Sequence, residues 1–254
     1  FVLPNGKPAC KLVVRAKVVV VAGGAAQTPA LLWRSGFRSP SGMLGKNLTL
    51  HPNAKVVGIF DEDVRGWQGV HQAYQVREFQ DEGFLFAAVN LPPSILAMTM
   101  HQHGAALGAL MADYKRMVIA GMLIEDTSTG QVRLGPGGQP LAFYQLSDLD
   151  AAKLKRGTAL LAELLFAVGA RRILLPFAGV GELRSPDDIR AIFANPVAKR
   201  SMELVTVHMM GTAAMGGDRS RAVTDGHGRV HDADRLVVAT HCDICRSDLL
   251  FELE

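Results

Sequence analysis

"KVVVVAGGAAQTPALLWRSG", residues 17–36, is the stretch whose reading decides the fold. Lys17 to Val21 is apolar almost throughout, the pattern of a central strand covered on both faces. Two glycines follow at once, and a short helix comes after them. Thr28 suits its cap, Pro29 its first position and Gly36 the residue just past its end. Strand, glycine turn and helix in this order are a piece of an α/β sheet. Glycines after a buried strand let a backbone approach a ligand closely, and the helix N-terminus behind them favours an anion. "AGGAA" is not GxGxxG, however, and no acidic residue follows about twenty positions on to meet a ribose. On these residues alone a tight strand–helix turn is the simpler reading, with a nucleotide site as the alternative.

Working outward, "ACKLVVRA" before this unit is also β-rich, and "NGKP" (Asn5–Pro8) has hairpin-turn chemistry. After it, "AKVVGIF" and "HQAYQVREF" are strand-like. Residues 92–114 read as one helix opened by prolines, with Leu96, Met100, Leu107 and Leu110 as its apolar stripe and Gly104 and Gly108 interrupting it. Residues 116–146 read as an antiparallel meander with "TSTG" and "GPGG" as its turns. A helix capped by Ser147 or Asp148 follows; Leu154, Leu161, Leu165 and Val168 share a face and Gly169 ends it. Ser185-Pro186-Asp187-Asp188 opens another helix, which Asn195-Pro196 stops, and "RVHDADRLVVA" returns to strand.

The chain has 254 residues, enough for one large core or two smaller ones. Its net charge of +3 arises from basic and acidic residues spread along the sequence, with no dense basic cluster and no interleaved aromatics. No nucleic-acid partner is expected from that pattern. The longest apolar runs fall short of a bilayer span, so membrane association is not expected either. Cys10, Cys242 and Cys245 are too few, and odd in number, for a disulfide scaffold, which makes a reducing cytoplasm the expected location. The chain begins at Phe1, partway through a β-rich pattern, and reads as an internal piece of something longer.

"HMMGTAAMGG" (residues 208–217) is the main chemical candidate. His208 ends the apolar run "ELVTV" and enters a loop of very small residues that leave room for a ligand, with two methionines as an adaptable apolar wall. An imidazole there can accept a proton from an alcohol. The alternative is a histidine that only hydrogen-bonds within a glycine-rich turn. His101 and His103 would point in different directions on a helix, a poor geometry for a shared metal. His241, Cys242 and Cys245 make half of a zinc or redox site, but only Cys10 is left to complete it, so no metal site is expected. No G-x-S-x-G elbow and no Walker-type loop is present.

Taken together, these stretches resemble the glucose–methanol–choline (GMC) family of flavin-dependent oxidoreductases. "GGAAQTPALLWRSG" (Gly23–Gly36) resembles the family's second signature, although Phe37-Arg38 departs from it. "LGKNLTLHP" (Leu44–Pro52) resembles its "GxNL…H" segment, "HMMGTAAMG" its "HxxGT…MG" motif and "VHDADRLVVA" the strand after that motif. "NLTLHP" and the Met-rich stretch around Met98–Met111 are most similar to the long-chain alcohol oxidase branch.

The resemblance implies α/β plus α+β architecture: a piece of a Rossmann-like FAD-binding domain joined to an antiparallel-sheet substrate domain. Residues 1–53 would belong to the first, 54–203 to the second, and 204–239 would return to the first with the active-site motif. It implies FAD as cofactor, a small-molecule alcohol as partner, apolar if the long-chain branch is the right one, and oxidation of that alcohol to an aldehyde or ketone by hydride transfer to the flavin. It implies His208 as catalytic residue and Gly23 and Gly24 as the turn near FAD.

It also implies parts not found here. The family's dinucleotide fingerprint would lie before Phe1, and that segment is expected to be needed for a full flavin site. The family's aspartate, serine and second active-site His or Asn are replaced by "THCDICRSDLLFELE" (residues 240–254), a divergent tail of the kind a shifted reading frame produces. The competing expectations are an inactive remnant without flavin and a small metal-binding module in the tail.

Overall fold

A computed structural model of the chain describes residues 13–70, 72–194 and 197–239. In chain order its strands are β1 (Val19–Val21), β2 (Lys46–Leu48), β3 (Asn53–Ile59), β4 (Gln75–Val76), β5 (Phe84–Ala88) and β6 (Met117–Ile124). They continue with β7 (Gly130–Leu134), β8 (Pro140–Phe143), β9 (Arg172–Leu174), β10 (Glu182–Leu183), β11 (Leu204–Val205) and β12 (Leu236–Val238). The helices are α1 (Gly24–Arg34), α2 (Pro93–Met98), α3 (Gly104–Met111), α4 (Asp148–Ala167) and α5 (Ala191–Ala194). They divide into two compact units. Among the described residues, one comprises 13–48, 131–143 and 210–239, the other those within 49–130 and 144–209.

In the first unit β1 pairs in parallel with β12, Val19 opposite Leu236 and Val21 opposite Val238. Sequence pattern predicts a strand covered on both faces here, and the structure corrects this. Val21 is buried, whereas Val18, Val19 and Val20 are each about half exposed. Among the described residues β12 is the strand's one ladder partner, so burial is confined to the end that meets α1 and the loops. Val21, Leu32, Leu44, Val223, Val230 and Val238 form this unit's core. A second sheet runs β2–β7–β8, with β7 and β8 an antiparallel hairpin closed by the predicted "GPGG" turn.

The meander predicted over residues 116–146 does not form as one. β6 pairs with β3 and β5 instead of β7. "TSTG" is no hairpin turn, because its polar groups are claimed elsewhere: the Thr127 amide and hydroxyl both donate to the Asp150 carboxylate, and the Ser147 hydroxyl bonds the Thr127 hydroxyl. Asp150 is fully buried, and these donors make a buried carboxylate tolerable.

The second unit is built on the antiparallel path β10–β9–β3–β6–β5–β4, with β11 pairing β3 as well. β3 is buried along nearly its whole length because both faces of the sheet are covered. Val56 joins the layer beneath α4, with Met122, Leu154, Leu161 and Ile173, while Val57 and Ile59 join Leu96 of α2 and Leu110 of α3 on the other side. Alternation of side chains along a strand delivers neighbouring valines to opposite layers. The helix predicted over 92–114 is broken into α2 and α3. Gly104 has φ +57, outside the right-handed helical region, so the chain turns there and starts again.

α4 keeps its predicted cap, the Ser147 hydroxyl accepting from the Asp150 amide at 2.9 Å. Val168 falls just past its end and is exposed instead of sharing the buried face. The predicted strand over "HQAYQVREF" shrinks to β4, two exposed residues at the sheet edge. The turn predicted at Asn5–Pro8 and the helix stop predicted at Asn195-Pro196 lie outside the described residues, as does the divergent tail.

Candidate active site

The glycine turn of the first unit differs from its sequence reading in a way that explains the motif. α1 begins at Gly24, ahead of the predicted start, which leaves Thr28 and Pro29 inside the helix. The Thr28 hydroxyl turns back and accepts from the Gly23 amide at 3.1 Å. Pro29 has no N–H, so the carbonyl one helical turn before it, that of Ala25, loses its usual donor. Thr212 supplies the replacement: its buried hydroxyl donates to the Ala25 carbonyl at 2.6 Å. The Thr-Pro of one motif and the Gly-Thr of the other are therefore two halves of one hydrogen bond. Thr212→Val keeps the shape and removes the donor, and it is expected to lower stability by about 1–3 kcal/mol, read as a shift in the urea midpoint.

The same loop meets β2 closely. Gly211 has φ +87, and a Cβ built on it would lie 2.0 Å from the Asn47 carbonyl oxygen. The Gly45 amide donates to the Thr212 carbonyl at 2.7 Å. "GxNL" and "GT" thus interlock through backbone. At the N-terminus of α1 no acidic residue occupies the first turn and no side chain caps the helix. Gly23 and Gly24 are exposed, and a Cβ on Gly24 would meet nothing within 4 Å. The result is an exposed helix N-terminus, uncapped from Gly24 onward and with the Gly23 amide taken by Thr28, a polarity that favours an anion.

His208 belongs to the second unit. β11 runs antiparallel to the start of β3, Val205 opposite Asn53. Beyond that pair the Thr206 hydroxyl donates to the Leu50 carbonyl and accepts from the His208 amide, which ties the two segments together. The ring of His208, half-buried, comes edge-on to that of His51, with centroids 6.2 Å apart and planes at 77°.

His51 is buried, and its φ of +45 lies in the left-handed region that side chains disfavour. Such a backbone costs about 1–3 kcal/mol unless its surroundings enforce it. Here the Asp126 carboxylate accepts from the amides of both Leu50 and His51, at 2.8 and 3.3 Å. Tyr144 donates its hydroxyl to the same carboxylate at 3.1 Å. Burial, before any nearby charge, raises the Tyr144 hydroxyl well above the ordinary tyrosine value and keeps it a neutral donor. His51 Nδ1 lies 3.0 Å from the Ile124 carbonyl oxygen. A carbonyl only accepts, so Nδ1 carries the proton.

Sequence models for the two domains of the GMC oxidoreductases match residues 3–53 and 126–242. The chain belongs to the GMC oxidoreductase family. An uncharacterised GMC-type oxidoreductase of Mycobacterium tuberculosis is 36% identical over 229 residues, covering 89% of this chain and 36% of the relative. A long-chain-alcohol oxidase of Arabidopsis thaliana is 26% identical over 263 residues, covering 94% of this chain and 34% of its own length. The chain thus spans about a third of the length of these relatives. In fold it is similar to an Aspergillus oryzae formate oxidase variant solved to follow FAD modification, with a TM-score of 0.56 and 15% identity, covering 89% of this chain and 49% of that one.

Of the residues singled out in the sequence, Gly23 and Gly24 stand at the turn into α1 in the first unit, and His208 stands beside His51 in the second. Sequence reading took His51 only as a letter of a motif. A histidine before a proline carries no sign that a residue far along the chain will lie against it. His101 and His103 sit in the break between α2 and α3, not along one helix. His241, Cys242, Cys245 and Cys10 lie outside the described residues. Among the described residues no group of His, Cys, Asp and Glu is arranged to hold a metal ion, and no helix is long and apolar enough to cross a membrane.

Proposed function

We propose that this chain forms part of an FAD-dependent oxidoreductase acting on CH–OH groups, converting a primary or secondary alcohol to an aldehyde or ketone. Bound FAD would supply the hydride acceptor. Gly23 and Gly24 would let the cofactor approach backbone at the start of α1, where the helix dipole favours its phosphates. His208 would accept the hydroxyl proton as the C–H bond gives up its hydride, at a place where a half-buried imidazole is exposed enough to reach substrate and dry enough to make proton transfer effective. The observation that carries the reading is the fixed imidazole: His208 is held by backbone to Thr206 and by its ring against His51. Likeness to the long-chain-alcohol oxidases supports an apolar alcohol as substrate.

The test is a visible spectrum after incubation of the purified protein with FAD and desalting. Retained flavin absorbance, and its loss when Gly24 is replaced by Asp to repel phosphate, is the expected result. A protein that emerges colourless at any FAD concentration would overturn the reading that this chain holds the flavin by itself.

A further inference from the structure

We propose that His51 is the positioning residue of this site, fixing the ring of His208 in one orientation. The inference rests on the proposed role of His208. Three features point to it. First, His51 is a buried polar side chain placed edge-on to the His208 ring, at a spacing where an aromatic edge meets a face. Second, it adopts a left-handed backbone conformation uncommon outside glycine, enforced by two amides on the Asp126 carboxylate, a carboxylate that Tyr144 in turn holds. Third, the Ile124 carbonyl fixes both its tautomer and its ring plane.

β6 ends at Ile124, and Asp126 lies just beyond it, so one strand end supplies both restraints. Packing alone does not call for a ring whose backbone and Nδ1 are both tied to the end of β6. A chain of restraints that ends on one ring serves to hold a ring packed against it, and the His208 ring is packed there. Asp126 and Tyr144 act one step further back, through His51.

Four variants in the full chain, loaded with FAD, test this: His51→Ala, His51→Phe, Asp126→Asn and His208→Ala. His51→Ala is expected to lower kcat about ten- to a hundredfold with KM within about twofold, since a base displaced by a fraction of an ångström loses rate more than binding. His51→Phe keeps a ring against His208 but loses the Nδ1 bond to Ile124 that fixes the ring plane, and it is expected to recover part of that loss. Asp126→Asn leaves both rings in the chain and guards against a folding defect at position 51; it is expected to fall between wild type and His51→Ala.

The second readout is independent of turnover. With isotopically labelled histidine, the His208 ring, assigned through His208→Ala, should give one sharp set of resonances in wild type and in His51→Phe, and broadened or doubled ones in His51→Ala. Unchanged kcat and unchanged His208 resonances in both His51→Ala and Asp126→Asn would overturn the proposal. So would His51→Phe being as slow as His51→Ala, because the imidazole nitrogen and not the ring would then be the active feature. Flavin-loaded wild type that oxidises no alcohol would instead overturn the proposed function and leave the resonances to decide the role of His51.

Discussion

His208→Ala in the flavin-loaded protein is expected to lower kcat/KM for a primary alcohol by about 10²–10⁴-fold, the range spanned by the removal of a general base. The loss should fall chiefly on kcat, because the proton is taken as the C–H bond breaks and not when substrate binds. Flavin content should be unchanged, because the His208 tie to the protein is a backbone amide on Thr206 that alanine retains. Steady-state kinetics on enzyme of matched flavin content check this. A loss confined to KM would mean that His208 only binds the alcohol.

Gly211→Ala should have the largest effect on stability. Alanine must enter the left-handed region at φ +87, costing about 1–2 kcal/mol. Its Cβ would also sit 2.0 Å from the Asn47 carbonyl oxygen, which is backbone within β2 and cannot rotate away. Relief of that overlap requires the loop to separate from β2, which adds about 1–3 kcal/mol of overpacking strain. It also threatens the Thr212 bonds to Ala25 and Gly45 next in the chain. The expected total, about 2–5 kcal/mol, is a large part of the stability of an ordinary domain. Urea unfolding of the variant against wild type measures it. A midpoint within error of wild type would show that the loop does not pack on β2 as described.

The parts of the fold carried by local pattern were legible in the sequence. β3 could be read from the unbroken run "AKVVGIF", α4 from Ser147 and its leucines, and the β7–β8 hairpin from "GPGG". Where reading failed, a distant residue had changed the meaning of a local signal. Thr28-Pro29 looks like a helix start because proline lacks a donor, but Thr212 supplies that donor and lets the helix begin earlier. "TSTG" looks like a turn until Asp150 takes its hydroxyls. Val18 to Val20 look buried because apolarity cannot report how many strands flank them.

For the site, the small-residue loop marked out His208, and the family resemblance gave it a role. His51 stayed hidden because its importance lies in a contact between segments far apart in the chain and in a strained φ that no composition encodes.

The most direct measurement of the central claim is the anaerobic rate at which a primary alcohol bleaches the visible flavin absorbance of the FAD-loaded protein, wild type beside His208→Ala. Bleaching in wild type, slowed at least a hundredfold in the variant, is the result predicted for proton acceptance by His208 during alcohol oxidation. Equal rates in the two proteins, or no bleaching in either while flavin remains bound, would contradict it.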